Sequence, residues 1–232
     1  MDLSWLGTLF DLIATTIATM GVLISGVLRL DPDVFRAALT TPNTGILAVL
    51  TLFLAGVSDT IGHSVVLFAN RVPRRRFIFS VVIEALILVV GVFFWAATIW
   101  FTAETVFGAH QPYGTVVTAV ALGYAPLLLG FLILLPYLGN FIFVLTRIWV
   151  LLAVLVGVAV AYSFGTWQTI ICSLIGWALL TLLARLPFLR IQRIDNWLWQ
   201  LSTGTPQELG TEEVVAQFMQ EIRADSANGG SA

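Results

Sequence analysis

Lysine is absent from this 232-residue chain: all eleven basic residues are Arg, and charged side chains make up only 10% of it. A soluble domain carries roughly 25% charged residues, so a surface facing water all round is excluded. With 59% hydrophobic residues, lipid is the expected solvent. Arg-only flanks suit a bilayer interface, because the guanidinium grips lipid phosphate while its stem stays apolar, although a GC-rich genome produces the same bias.

Catalytic signatures are missing too. The sequence contains no P-loop, Rossmann fingerprint, nucleophile elbow or HExxH pattern, so nucleotide-driven and hydrolytic chemistry lack support and no enzyme is expected. The single cysteine, Cys172, lies among Ile170, Ile171 and Leu174, which leaves it no disulfide partner in the chain and makes it a small apolar side chain. No cofactor and no nucleic-acid partner is implied. Met1-Asp2 supplies no basic region ahead of the first apolar stretch, so a cleaved signal peptide is not expected.

What is present is a series of apolar runs, and they predict an all-α polytopic transmembrane bundle. The strong spans are Gly45 to Asn70, Phe77 to Phe101, Thr115 to Leu135, Phe141 to Phe164 and Trp167 to Ala184, each close to the roughly 20 residues that cross a hydrocarbon core. Trp5 to Leu28 is long enough for a sixth, but Thr8, Asp11, Thr15, Thr19 and Ser25 give it a weakly polar face, so it spans or lies in the interface. Asp31-Pro32 is a helix-start signal that predicts a short surface helix over Asp33 to Leu39. The chain thus divides into an N-terminal region (1–44), a five-span bundle (45–185), an interfacial amphipathic segment (186–210) and a short helix with a disordered tail (211–232).

Basic residues set the expected topology. Arg71, Arg74, Arg75 and Arg76 fill one short turn, and Arg185, Arg190 and Arg193 follow the last span. Four crossings separate the clusters, so both fall on one side. The positive-inside rule makes that side cytoplasmic, with the C-terminus. Trp197 and Trp199 beside the second cluster suit a helix anchored among lipid headgroups.

Ionisable side chains inside the spans are functional candidates, because burying them in lipid is costly. They are Asp59, His63, Glu84 and Arg147. Counted along the helices, His63 and Glu84 each stand roughly 12 Å from the Arg71–Arg76 turn and Arg147 about 10 Å from the Pro136–Asn140 turn, which predicts one shared layer. Asp59 and Tyr124 fall in a deeper layer. One reading pairs Glu84 with Arg147 and leaves His63 and Asp59 hydrogen-bonded within the bundle, fixing which helices are neighbours. Another makes the cluster a hydrophilic cavity that binds an anion at Arg147 or relays protons through Glu84, His63 and Asp59. Asp59, His63 and Glu84 are too few and too generic to specify a metal site. Gly123 with Gly130, and Gly157 with Ala161, read as helix-packing positions, and Pro126 predicts a kink.

Several short motifs carry a family resemblance. Arg29-Leu30-Asp31-Pro32-Asp33-Val34-Phe35, Thr41-Pro42-Asn43, Tyr124-Ala125-Pro126, Leu135-Pro136-Tyr137-Leu138-Gly139 and Ile148-Trp149 together resemble the Yip (Ypt-interacting protein) domain family over roughly Leu28 to Ala184. The resemblance implies a five-helix bundle preceded by amphipathic helices. For eukaryotic members it implies a role in vesicle traffic through small GTPases and partner membrane proteins. This chain departs from them in lacking a long soluble N-terminal region and in placing its C-terminus inside.

Three functions follow as expectations. The leading one is a non-enzymatic scaffold or accessory subunit that assembles with itself or with a larger membrane complex, in keeping with eight Trp residues near span ends. The alternative is a transporter or channel for a small ion passing His63, Glu84 and Arg147. A third is an interface-bending protein using the two in-plane candidates.

Overall fold

The computed structural model describes residues 4–63, 74–135 and 137–185, all within one unit, Met1–Leu186. The described residues are helical, in the order α1 (Ser4–Leu28), α2 (Pro32–Thr40), α3 (Thr44–His63), α4 (Arg74–Phe107), α5 (Tyr113–Gly123), a 3-10 segment (Ala125–Leu134), α6 (Gly139–Tyr162) and α7 (Thr166–Arg185). Among them, α3, Phe77–Phe107 of α4, Tyr113–Leu134 and α6 are long and apolar enough to cross a membrane. Ile13–Leu28 and Thr166–Leu179 are shorter apolar helical stretches. The chain is therefore a multi-pass integral membrane protein whose partner is a lipid bilayer. The expected span to Asn70 is described only as far as His63, and the region beyond 186 lies outside the described residues.

The turn between α1 and α2 shows how the sequence folds locally. Leu30 takes a left-handed backbone (φ 58°), and the Asp31 and Leu30 amides donate to Gly26 and Val27 carbonyls at 3.0 and 2.9 Å, closing α1. Asp31 then caps α2, its side chain accepting from the Asp33 amide at 2.9 Å with Pro32 in the first turn. This helix is not simply a surface element. Phe35 is fully buried and fits a notch at Gly157 of α6, where a Cβ would lie 3.0 Å from the Phe35 ring and 2.8 Å from the Ala119 carbonyl. Trp149, about two turns before Gly157 on α6, donates its indole N–H to the Leu28 carbonyl at 3.1 Å and so satisfies an orphan acceptor at the end of α1.

The third strong span departs from a simple kinked α-helix. It is α-helical to Gly123 and then runs as 3-10 helix for ten residues, far beyond the usual three or four. Pro126 supplies no amide at its start, and the Leu127 amide bonds three residues back to the Tyr124 carbonyl at 2.9 Å. Tertiary contact maintains the rest. A Cβ on Gly130 would lie 2.8 Å from the Asp59 Cα, and one on Gly62 would lie 2.1 Å from the Gly130 carbonyl oxygen. The thinner 3-10 helix lets the two backbones touch. Its steeper rise also makes the segment about 5 Å longer than ten α-helical residues.

α7 packs on α4 through a face of small side chains. Thr169, Cys172 and Ser173 are buried, and a Cβ on Gly176 would sit 2.9 Å from Ile99. The Cys172 thiol points at the Ile99 carbonyl, 3.6 Å away. Among the described side chains of α1, Leu23 and Val27 in its last turns are buried, while Phe10, Ile13, Ile17 and Val22 are exposed.

Candidate functional site: a charge pair across the bundle

Asp59 lies on the last turn but one of α3, where the apolar pattern of the helix turns its carboxylate toward α6. Arg147, two turns into α6, donates from Nη2 to Asp59 Oδ2 at 2.7 Å. The Asp59 side chain is 15% exposed and that of Arg147 is 40% exposed, so the pair is open on the arginine side only. Asp59 Oδ1 is buried without a hydrogen-bond partner. The Arg147 guanidinium stands 5.2 Å from the centre of the Phe143 ring, four residues back on the same helix, in cation–π contact.

His63 completes the group from the end of α3. Its Nδ1 lies 2.9 Å from the Asp59 backbone carbonyl, an acceptor only, so this nitrogen carries the proton. The same atom is 3.8 Å from Asp59 Oδ1. The imidazole meets the Phe143 ring edge-on, 5.4 Å between centroids. Phe143 therefore contacts both the histidine and the arginine. Tyr124 lies deeper, within electrostatic reach of Arg147, its ring edge-on to Trp95 at 6.3 Å.

The expected Glu84–Arg147 pair is corrected by this geometry: Arg147 is taken by Asp59, and Glu84 stands apart on an exposed face of α4, accepting from Ser80 Oγ at a long 3.4 Å. Depth counting placed Glu84 and Arg147 in one layer, but equal depth does not fix which way a side chain faces. Asp59, His63 and Arg147 come together, Tyr124 borders them, and Glu84 does not join. Of the interface candidates, Arg75 is exposed. Arg74, Arg76 and Arg185 sit at helix ends, with side chains outside the described residues, as are Arg71, Arg190, Arg193, Trp197 and Trp199 altogether.

Ser58, unmarked in the sequence, proves central. Its hydroxyl donates to the Leu128 carbonyl at 2.7 Å and accepts from the Phe131 amide at 3.1 Å. Those two backbone groups are the carbonyl and amide that a 3-10 turn joins directly. The hydroxyl has entered the ladder and ties the segment to α3. Its only signal in the sequence is adjacency to Asp59 in an otherwise apolar run.

Chemically, the constellation joins three spans. Ser58 binds the 3-10 segment, Asp59 binds α6, and Gly62 and Gly130 bring backbones together. Two clefts elsewhere among the described residues are apolar and are not lined by Arg147, His63 or Glu84.

A family model described as the Yip1 domain matches residues 24–185. The matched region begins in the last turns of α1, includes the α2 helix that docks through Phe35, and ends with α7. No curated protein and no solved structure matches the chain.

Proposed function

We propose that this chain, which belongs to the Yip1 domain family, is a non-enzymatic membrane scaffold that assembles with copies of itself or as an accessory subunit of a larger membrane complex. The observation that carries this reading is Glu84. It lies eight residues past Arg76 in a helix of spanning length, about 12 Å into the apolar segment, yet its side chain is exposed. Ionisable groups at such depth almost always face a bundle interior or a partner, because lipid offers them neither donors nor solvent.

Ser80, Glu84, Ile87 and Gly91 follow one another at helical spacing and share a face. Gly91 is open, with nothing within 4 Å of where a Cβ would be, so a second helix can approach closely there. A partner helix crossing at Gly91 and presenting a hydrogen-bond donor or cation one to two turns away would satisfy the carboxylate. The same reading puts the arginine cluster Arg71 to Arg76 and the C-terminus on the cytoplasmic side, which accessibility labelling of intact vesicles tests.

The deciding experiment is gentle extraction of the full chain, followed by light scattering and mass spectrometry of what accompanies it. We expect a particle larger than one copy, and Glu84→Leu to weaken assembly about tenfold or more, consistent with a loss of about 1–2 kcal/mol from one intramembrane hydrogen bond. Folded yield should not fall, since the substitution removes a lipid-exposed charge. A wild-type protein found only as a lone monomer ends the proposal.

A further inference from the structure

α2 lies below the ends of the spans that hold it. Phe35 meets Gly157 of α6, five residues before that helix ends at Tyr162, or about 8 Å along its axis. The start of α3 gives the same depth independently. A Cβ on Gly45 would lie 3.2 Å from Thr118, five residues into α5 from Tyr113. The chain entering α2 is deeper still. Leu28 gives its carbonyl to the Trp149 indole, thirteen residues before Tyr162 and about 20 Å down the axis. Even an indole pointing straight up α6 leaves that carbonyl about two turns below the helix end.

The 24 residues of α6 measure about 36 Å, against a hydrocarbon core about 30 Å thick. Centred in the bilayer, α6 overshoots the core by about 3 Å at each end. α2 therefore lies about 5 Å inside the hydrocarbon boundary, and the turn from Leu28 to Asp31 lies deeper.

Its outward face does not suit hydrocarbon. Asp33, Arg36, Ala37 and Thr40 are exposed at positions that share one side of a helix, with the Asp33 and Arg36 side chains 83% and 64% exposed. Arg29 is exposed in the turn before them. Irregular backbone flanks α2 at Leu30 and Asn43, both left-handed, and such backbone does not face lipid tails. The apolar side of α2 is already used, since Phe35 and Ala38 are buried in the bundle. Its polar groups are matched locally: Asp33 pairs with Arg36, Asp31 accepts from the Asp33 amide, and the Thr40 hydroxyl donates to the Arg36 and Ala37 carbonyls. Unlike Glu84, a face that satisfies its own charges within one helix needs solvation more than a complementary protein surface.

We propose that this face binds the lipid headgroup layer, whose lipids and water step down to α2 and thin that leaflet locally. Charges held in the hydrocarbon layer draw headgroups and water toward them, and the Gly157 notch fixes α2 at the depth where this happens. The proposal concerns α2 alone and does not rest on the assembly reading.

The test places nitroxide labels on the full chain, in a Cys172→Ser background reconstituted in phosphatidylcholine vesicles. Each label reports collisions with oxygen, which favours hydrocarbon, and with a water-soluble nickel chelate. Labels at Leu145→Cys, Ile148→Cys and Leu152→Cys, all lipid-exposed on α6, calibrate the chelate-to-oxygen ratio against depth. Ala37→Cys should exceed the ratio extrapolated to the level of Gly157 by about fivefold or more, because a polar reagent is excluded from hydrocarbon. Thr40→Cys, on the same face, replaces it if that variant folds poorly. A ratio on the calibration line means that lipid tails meet α2 and overturns the proposal. Few collisions with either reagent mean that protein covers the face, which overturns it equally.

Discussion

Removing the charge from either partner of the Asp59–Arg147 pair should destabilise the bundle unequally, and the order follows from exposure. Arg147→Met keeps an apolar stem against Phe143 but leaves a carboxylate that is 15% exposed, with one oxygen already lacking a partner. Breaking a buried pair in this way costs about 3–5 kcal/mol, and the low end applies because the site opens on one side. Asp59→Asn leaves an arginine that is 40% exposed, whose head can move toward the interface while the amide oxygen still accepts, so the loss should be about 1 kcal/mol. In the double variant Asp59→Asn/Arg147→Met only a neutral amide is stranded, at about 2 kcal/mol in all. The coupling between the sites is then about 2 kcal/mol, well above the roughly 0.5 kcal/mol expected of independent positions. Reversible unfolding in mixed micelles, followed by circular dichroism for all four proteins, measures each term. Additive losses, or Asp59→Asn costing more than Arg147→Met, would refute the assignment of this pair as the lock between α3 and α6.

Ser58→Ala should cost about 1–2 kcal/mol and speed hydrogen exchange at the Phe131 amide, which Ser58 now receives; unchanged protection there would mean that the hydroxyl does not hold the 3-10 ladder open. Phe35→Ala empties a fully buried site against Gly157 and should cost about 3–5 kcal/mol, with new protease cleavage between α1 and α3; a loss below about 1 kcal/mol would show that α2 rests on the bundle without being part of it.

The spans were legible because length and apolar content suffice to define a crossing helix, and the Asp31-Pro32 start was legible because capping is written in local sequence. Facing was not. Counting along α3, α4 and α6 gave depth, which put His63, Glu84 and Arg147 in one layer and Asp59 in a deeper one, whereas the structure pairs Asp59 with Arg147 and turns the face of α4 that bears Glu84 away. The 3-10 segment was hidden for a related reason. Pro126 announces a kink wherever it stands in a helix, whereas ten residues of 3-10 geometry depend on Gly130 meeting Asp59 and on Ser58 reaching Leu128, contacts between segments some seventy residues apart. The α2 helix shows the same limit, since its apolar stripe suits a bilayer surface as well as the Gly157 notch that receives Phe35.

These contacts divide the bundle by how its polar groups are satisfied. On the side of α3, the 3-10 segment and α6, the intramembrane charges meet each other and the glycines let backbones touch, so movement there would strand Asp59 or Arg147 in lipid. On the side of α4, Glu84 has a long bond to Ser80, Gly91 is open, and only 17% of the helix's most apolar stretch is buried. A protein whose function required its interior to open would be expected to carry its weakly paired charge inside and its tight packing outside. Here the interior charges are paired with each other, with Asp59 Oδ1 left without a hydrogen bond, and the weakly bonded Glu84 carboxylate is on the outer face. Such a distribution favours work done by lateral contact in the plane of the membrane over work done by passage through the bundle.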